Sequence, residues 1–165
     1  MGRFLLIAIA CTSFVCVAQA QQPLFQDHAR PAARQQQVEF LYPEQITMPA
    51  GKPGSVELHF RVAPGLHINS HTPKDRFLIP TALSIPAGAG VRLAGATYPA
   101  GVEFTLPADP STRLSVYTGE FAINAKLDVQ PGDHLVQAKL HYQACDEAQC
   151  MPPRTATVAI DVIGK

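Results

Sequence analysis

The stretch His134-Leu-Val-Gln-Ala-Lys-Leu-His-Tyr142 decides the fold class. Val136, Ala138, Leu140 and Tyr142 recur at every second position, the period of a strand that buries one face. His141 then falls on the face opposite Tyr142.

Working outward, the same alternation returns on both sides. In Val56–Val62, residues Val56, Leu58, Phe60 and Val62 share one face, and Glu57, His59 and Arg61 the other. Phe121, Ile123, Ala125 and Leu127 repeat the pattern, as do Ala156, Val158, Ile160 and Val162. Weaker strands are expected at 38–42, 82–85, 91–98, 103–106 and 114–117. Turn signals separate these runs: Pro49-Ala50-Gly51, Pro64-Gly65, Pro86-Ala87-Gly88, Pro107 to Pro110, and Pro131-Gly132. No long stretch carries a clean helical period with caps. Seven to nine short strands, each buried on one face, predict an all-β fold, an immunoglobulin-like antiparallel β-sandwich. A closed barrel satisfies the same pattern and stays open as the alternative.

The N-terminus reads differently. Arg3 precedes an apolar run from Phe4 to Val17, and Ala18-Gln19-Ala20 supplies a small-x-small cleavage pattern. Residues 1–20 are therefore expected to be a secretory signal peptide cut after Ala20. The run is shorter than the ~20 residues of a spanning helix, so no stable membrane insertion is expected after cleavage. A retained anchor is the competing reading. Gln21 to Gln37 is polar and is expected to form a flexible leader, with one domain over 38–165. The expected location is periplasmic, or otherwise exported.

Cleavage would remove Cys11 and Cys16 and leave Cys145 and Cys150, one possible disulfide in an oxidising compartment. Lys plus Arg number 13 against 13 acidic residues. Losing Arg3 makes that 12 against 13, a net charge of −1 with neutral histidine. No basic stripe is present, which disfavours nucleic acid, and no polybasic segment suits lipid. No nucleophile–base set, phosphate loop or carboxylate pair can be argued from the order of residues.

The chemically informative segment is Tyr142-Gln-Ala-Cys-Asp-Glu-Ala-Gln-Cys-Met-Pro-Pro153. Four residues separate the cysteines, and a hairpin loop of that size can bring their Cα atoms within the ~4.4–6.8 Å a disulfide needs. As a staple, a ring this short contributes only about 2 kcal/mol in the chain-entropy model. A loop also leaves the pair reachable by another thiol. A working redox pair and a plain structural bridge both remain open on these grounds. Asp146 and Glu147 beside Cys145 disfavour its thiolate, so Cys150 is the expected partner-facing sulfur and Cys145 the resolving one.

The cysteine segment resembles the N-terminal periplasmic domain of the thiol:disulfide interchange protein DsbD. So do Pro64-Gly-Leu-His-Ile-Asn-Ser-His-Thr-Pro73, Phe77-Leu-Ile-Pro-Thr81 and Leu114-Ser-Val-Tyr-Thr-Gly-Glu-Phe121. The resemblance runs from about Val38 to Val162. It implies an immunoglobulin-like fold and a dithiol, Cys145 with Cys150, that takes electrons from a membrane-embedded thiol–disulfide transporter. The pair then passes them to periplasmic thioredoxin-like or disulfide-bearing proteins, without a cofactor. The resemblance also places His67 and Asn69 beside the cysteines and makes Phe104 a candidate shield over the disulfide. Tyr142 is read as a strand anchor lining the same place. Full-length relatives continue into membrane helices and a thioredoxin-like domain, so either a free-standing module with a separate reductant or a relative with a changed role is expected.

Two other classes compete. One is a non-enzymatic binding domain with a structural disulfide. The other is a soft-metal carrier holding Cu(I) through the two thiolates, Met151 and His141. Against the metal, His141 is expected to face away from Tyr142, and the Cys-x4-Cys spacing is looser than that of many zinc sites. No metal is assigned. His59 and His141 read as solvent-face strand residues. His67 and His71 lie in a loop and are either site-lining or surface residues.

Overall fold

The computed structural model describes residues 36–42, 45–107 and 109–165. The expected signal peptide and residues 21–35 of the expected leader lie outside them. Among the described residues every regular element is a strand: β1 (Val38–Leu41), β2 (Gln45–Met48), β3 (Gly54–Val62), β4 (His67–Asn69), β5 (Ala82–Ser84), β6 (Val91–Thr97), β7 (Val102–Leu106), β8 (Asp109–Tyr117), β9 (Glu120–Val129), β10 (Gly132–Tyr142), β11 (Ala144–Cys145) and β12 (Arg154–Gly164).

Three four-stranded sheets result. The first has the order β1-β3-β9-β6, the second β2-β12-β10-β5 and the third β11-β4-β8-β7. The alternating runs read from sequence form the centre of the first two. On β3 and β9 the buried hydrophobic residues are Leu58, Phe60, Val62, Phe121, Ile123, Ala125, Leu127 and Val129. On β10 and β12 they are Val136, Ala138, Leu140, Tyr142, Val158, Ile160 and Val162. All belong to one apolar cluster, which makes the two sheets the layers of a β-sandwich. Each fully buried Leu or Ile in it contributes roughly 1.5–3 kcal/mol of transfer free energy.

All nine expected strands are present, though β8 begins at Asp109 rather than Leu114. One pairing departs from the antiparallel expectation. β2 runs parallel to β12, matching Asp161 with Gln45 and Gly164 with Met48. It covers the edge of β12 that β10 leaves free, where unpaired backbone groups would otherwise face solvent. Gln37, drawn into the leader by its polarity, is only 5 % exposed, and its carbonyl accepts the amide of Ala63.

The third sheet adjoins the sandwich through continuing strands and aromatic packing. β11 follows β10 with only Gln143 between them. An aromatic series runs from the core toward this sheet, with Phe60 stacked on Phe121 at 5.3 Å and Phe121 on Tyr117 at 4.7 Å between ring centroids. Tyr117, at the end of β8, donates its hydroxyl to the Pro99 carbonyl at 3.0 Å and accepts the His71 amide at 3.1 Å. The segments flanking β4 and β7 are thereby tied to the core.

Candidate functional site

The third sheet carries the cysteines. Cys145 ends β11 and lies opposite His67 on β4, while Ala144 lies opposite Ile68. The turn at Pro64-Gly65 feeds β4, and Gly65 adopts φ +78°, a conformation that favours glycine. Cys145 and Cys150 form a disulfide with their Cα atoms 3.9 Å apart. That is closer than the usual ~4.4–6.8 Å, because the two residues face one another as an isolated antiparallel bridge. The sulfurs have unequal surroundings: Cys145 is 1 % exposed, whereas Cys150 is exposed.

The loop between them is closed by Asp146. Its Oδ1 accepts the amides of Ala148 at 2.8 Å and Gln149 at 2.7 Å, and its own amide donates to the Gln149 carbonyl at 3.0 Å. Those amide bonds hold the Asp146 carboxyl below its ordinary range, with a smaller contribution from His67. After the loop, the Met151 amide donates to the Ala144 carbonyl at 2.8 Å. Gln143 donates from its side chain to the Met151 carbonyl at 3.2 Å, and the Gln37 side chain donates to the Met151 sulfur at 2.7 Å.

Two clefts flank this loop. One, of about 470 Å³, is lined by both cysteines together with His67, Leu78, Leu106 and Leu114. The other, of about 520 Å³, is lined by Leu66, His67, Phe104, Glu120 and Glu147 among others. His67 lies between them and lines both. Its ring packs on Phe104 with centroids 4.3 Å apart, and it is 2 % exposed. Its Nε2 is buried without a hydrogen-bond partner. Burial pushes its pKa below the ordinary imidazole value, against a weaker opposing pull from Asp146.

The other residues singled out from sequence fall as follows. Asn69 is fully buried; its Nδ2 donates to the Ile79 carbonyl at 3.0 Å and to Gln143 Oε1 at 3.3 Å. Its Oδ1 has no partner. Asn69 thus braces the residue that braces Met151. Phe104, on β7, lies against His67, while Leu106 of β7 and Leu114 of β8 line the cleft at the disulfide. Tyr142 is 3 % exposed within the core cluster, and burial raises its pKa. His71 stacks flat on Tyr98 at 3.7 Å, and its Nδ1 meets the Thr81 carbonyl at 2.8 Å. His59 pairs with Glu57 on the outer face of β3.

The copper reading needs Met151 and His141 beside the sulfurs. The Met151 sulfur accepts Gln37, and His141 lies on the exposed face of β10 against Thr155 Oγ1 at 3.2 Å. Among the described residues no group of three or more His, Cys, Asp or Glu is placed to hold a metal ion. Sequence reasoning passed over Gln37, Gln143, Leu78, Leu106 and Leu114. Gln143, Leu78 and Leu114 sit inside the quoted segments without any signal of their own, Gln37 and Leu106 lie outside them, and contacts between distant segments bring all but Gln143 to the loop.

Comparison with known proteins adds three findings. The chain matches a family described as the N-terminal part of the thiol:disulfide interchange protein DsbD over residues 37–162. No curated protein matches it. Among solved structures it is similar to the reduced form of the DsbD N-terminal domain of Neisseria meningitidis, at 19% identity and a TM-score of 0.44. That similarity covers 66% of this chain and 77% of the other.

Proposed function

The chain belongs to the family of the N-terminal domain of the thiol:disulfide interchange protein DsbD, and from that premise we propose how its cysteine pair divides the work of exchange. A member of this family is a thiol–disulfide interchange module that works with redox partners. In our reading Cys150 meets the partner. Its thiolate attacks a partner disulfide, a mixed disulfide forms, and Cys145 resolves it, leaving a reduced partner and a closed Cys145–Cys150 bond. The observation that carries this division is the unequal exposure of the two sulfurs. The acidic neighbours of Cys145 favour the same order.

We further propose that residues 1–20 direct export and are removed, and that a domain over 38–165 works in the periplasm. A membrane-embedded thiol transporter would supply its electrons, and thioredoxin-like or disulfide-bearing proteins would receive them. The periplasmic-type family supports this. Among the described residues no helix is long and apolar enough to cross a membrane.

The deciding measurement is the reduction potential of the pair, by equilibration in glutathione buffers with thiol trapping and mass readout. A value between about −120 and −270 mV fits an exchange couple, whereas one below about −300 mV marks a structural bond and overturns the reading. A Cys145→Ala variant should then accumulate mixed disulfides through Cys150.

A further inference from the structure

His67 is a buried titratable side chain whose Nε2 is satisfied by nothing in the disulfide form. It faces Cys145 directly across the β4–β11 pair. Residues so matched project to the same side of the sheet, with Cβ atoms ~4.5–5.5 Å apart. Both line the cleft that also holds Cys150. Nε2 is enclosed and without a partner, a condition that is unfavourable unless something offsets it. A disulfide sulfur has no proton to offer. A thiol at Cys145 has one.

We propose that His67 is the proton acceptor for Cys145 in the resolving step, and that the Cys145 thiol is the hydrogen-bond partner its Nε2 lacks while the disulfide is closed. The inference rests on reading Cys145 and Cys150 as an exchange pair. A thiol buried as deeply as Cys145 resists ionisation, because its thiolate has no water to solvate it. An imidazole beside it removes that obstacle by taking the proton and leaving an imidazolium next to the thiolate. In the resolving step Cys145 Sγ loses its proton to His67 Nε2 and forms a bond to Cys150 Sγ. The bond between Cys150 Sγ and the partner sulfur breaks, and that sulfur leaves as a thiolate with the electron pair. His67 then returns the proton to water or to the departing thiolate. Over both steps two electrons pass from the dithiol to the partner disulfide.

The charges around His67 shape its titration. Asp146 favours the imidazolium. Glu147 lines the Phe104 side together with Arg61 and Glu120, which pair with one another. The disulfide side holds Lys74, Asp75 and Arg113; Lys74 and Arg113 both bond to Glu103. Asp146 is therefore the charge that acts on the ring most directly.

The test follows the reduced full chain, carrying Cys11→Ser and Cys16→Ser, reacting with 5,5′-dithiobis(2-nitrobenzoate). Attack by Cys150 releases one thionitrobenzoate, and resolution by Cys145 releases a second. His67→Phe should slow the second phase relative to the first by about tenfold or more at neutral pH, within the range of general-base effects. The unmutated second phase should fall as acid protonates the imidazole, a limb that His67→Phe and His67→Gln both lose. Free imidazole should restore the second phase in His67→Ala, which a merely structural role would not allow. The glutathione equilibrium of His67→Phe should move toward the disulfide by about tenfold, the scale of one buried hydrogen bond. Should His67→Phe fail to fold, His67→Gln carries the test. A second phase with unmutated rate and pH profile in the folded variants overturns the proposal. Absence of both phases from the unmutated chain would instead sink the exchange reading, and this inference with it.

Discussion

Gln37 donates its side-chain amide to the Met151 sulfur at 2.7 Å, joining residues 114 positions apart. The bond fastens the residue just before β1 to the residue just after Cys150. Gln37 also supplies its carbonyl to Ala63, one residue before the Pro64-Gly65 turn that delivers His67. Removing the side chain frees Met151 and leaves the loop held by its Gln143 and Ala144 bonds. Gln37→Ala should therefore lower stability by less than about 1 kcal/mol, because a thioether is a weak acceptor and the same change removes an Oε1 that is buried without a partner. It should also raise the loop's hydrogen-exchange rate more than that of the core strands. Thermal unfolding together with exchange mass spectrometry checks both, and uniform exchange across the chain would contradict the assignment.

His67 gives the domain an acid-sensitive stability. Its folded pKa lies below the ordinary imidazole value, chiefly because burial disfavours the imidazolium. In the window between the folded value and about 6.5, the unfolded chain binds more protons than the folded one. Stability therefore rises with pH through that window. It is complete above the unfolded pKa and is lost as pH falls toward the folded one. Denaturant midpoints measured from pH 5 to 8 should show this slope in the disulfide form, and His67→Phe should flatten it. Equal slopes in both proteins would place the acid sensitivity elsewhere.

How far the sequence reaches is clear from particular elements. The strands β3, β9, β10 and β12 were legible because each keeps one face in the core and the other in solvent. β4 was not, because His67, Ile68 and Asn69 are all buried and show no alternation. β2 and β11 are too short to carry a period, and their pairings with β12 and β4 are long-range. The cysteine loop was legible as chemistry. Its setting was not: Gln37 reads as leader from composition alone. His67 and Asn69 were singled out through family resemblance rather than through any local pattern.

Gly101 marks where the β7–β8 hairpin presses on the segment after β4. A Cβ there would overlap Ser115 Oγ and come within 2.7 Å of Ser70 Cβ. Those two serines share a hydrogen bond of 2.8 Å, and the Ser70 amide donates to the Ser115 carbonyl at 2.9 Å. Gly101→Ala should force the hairpin outward and cost about 1–3 kcal/mol, the range for overpacked sites. Because Leu106 and Leu114 of that hairpin line the disulfide cleft, the variant should also open the pair to small reductants. Faster reduction by dithiothreitol at matched folded fraction is the expected outcome. An unchanged rate would separate the hairpin from the guarding of the pair.

The unequal burial of the sulfurs sets the order in which they react. Once the pair is reduced, Cys150 is exposed beside neutral Met151 and two prolines. Cys145 is enclosed at 1 % exposure next to Asp146, whose carboxyl the loop amides keep ionised. Enclosure and a neighbouring anion both lower the thiolate fraction of Cys145, so a small electrophile should modify Cys150 first. Iodoacetamide under limiting conditions, followed by peptide mass mapping, should find Cys150 carrying at least about ten times more label than Cys145, as expected for thiols of unequal access and ionisation. Asp146→Asn should narrow that ratio by removing the anion beside Cys145, although it also weakens the amide bonds that close the loop. A second variant, Glu147→Gln, changes the other flanking charge while leaving those bonds in place. Preferential labelling of Cys145 in the unmutated chain would reverse the roles, making Cys145 the sulfur that meets the partner and Cys150 the one that resolves.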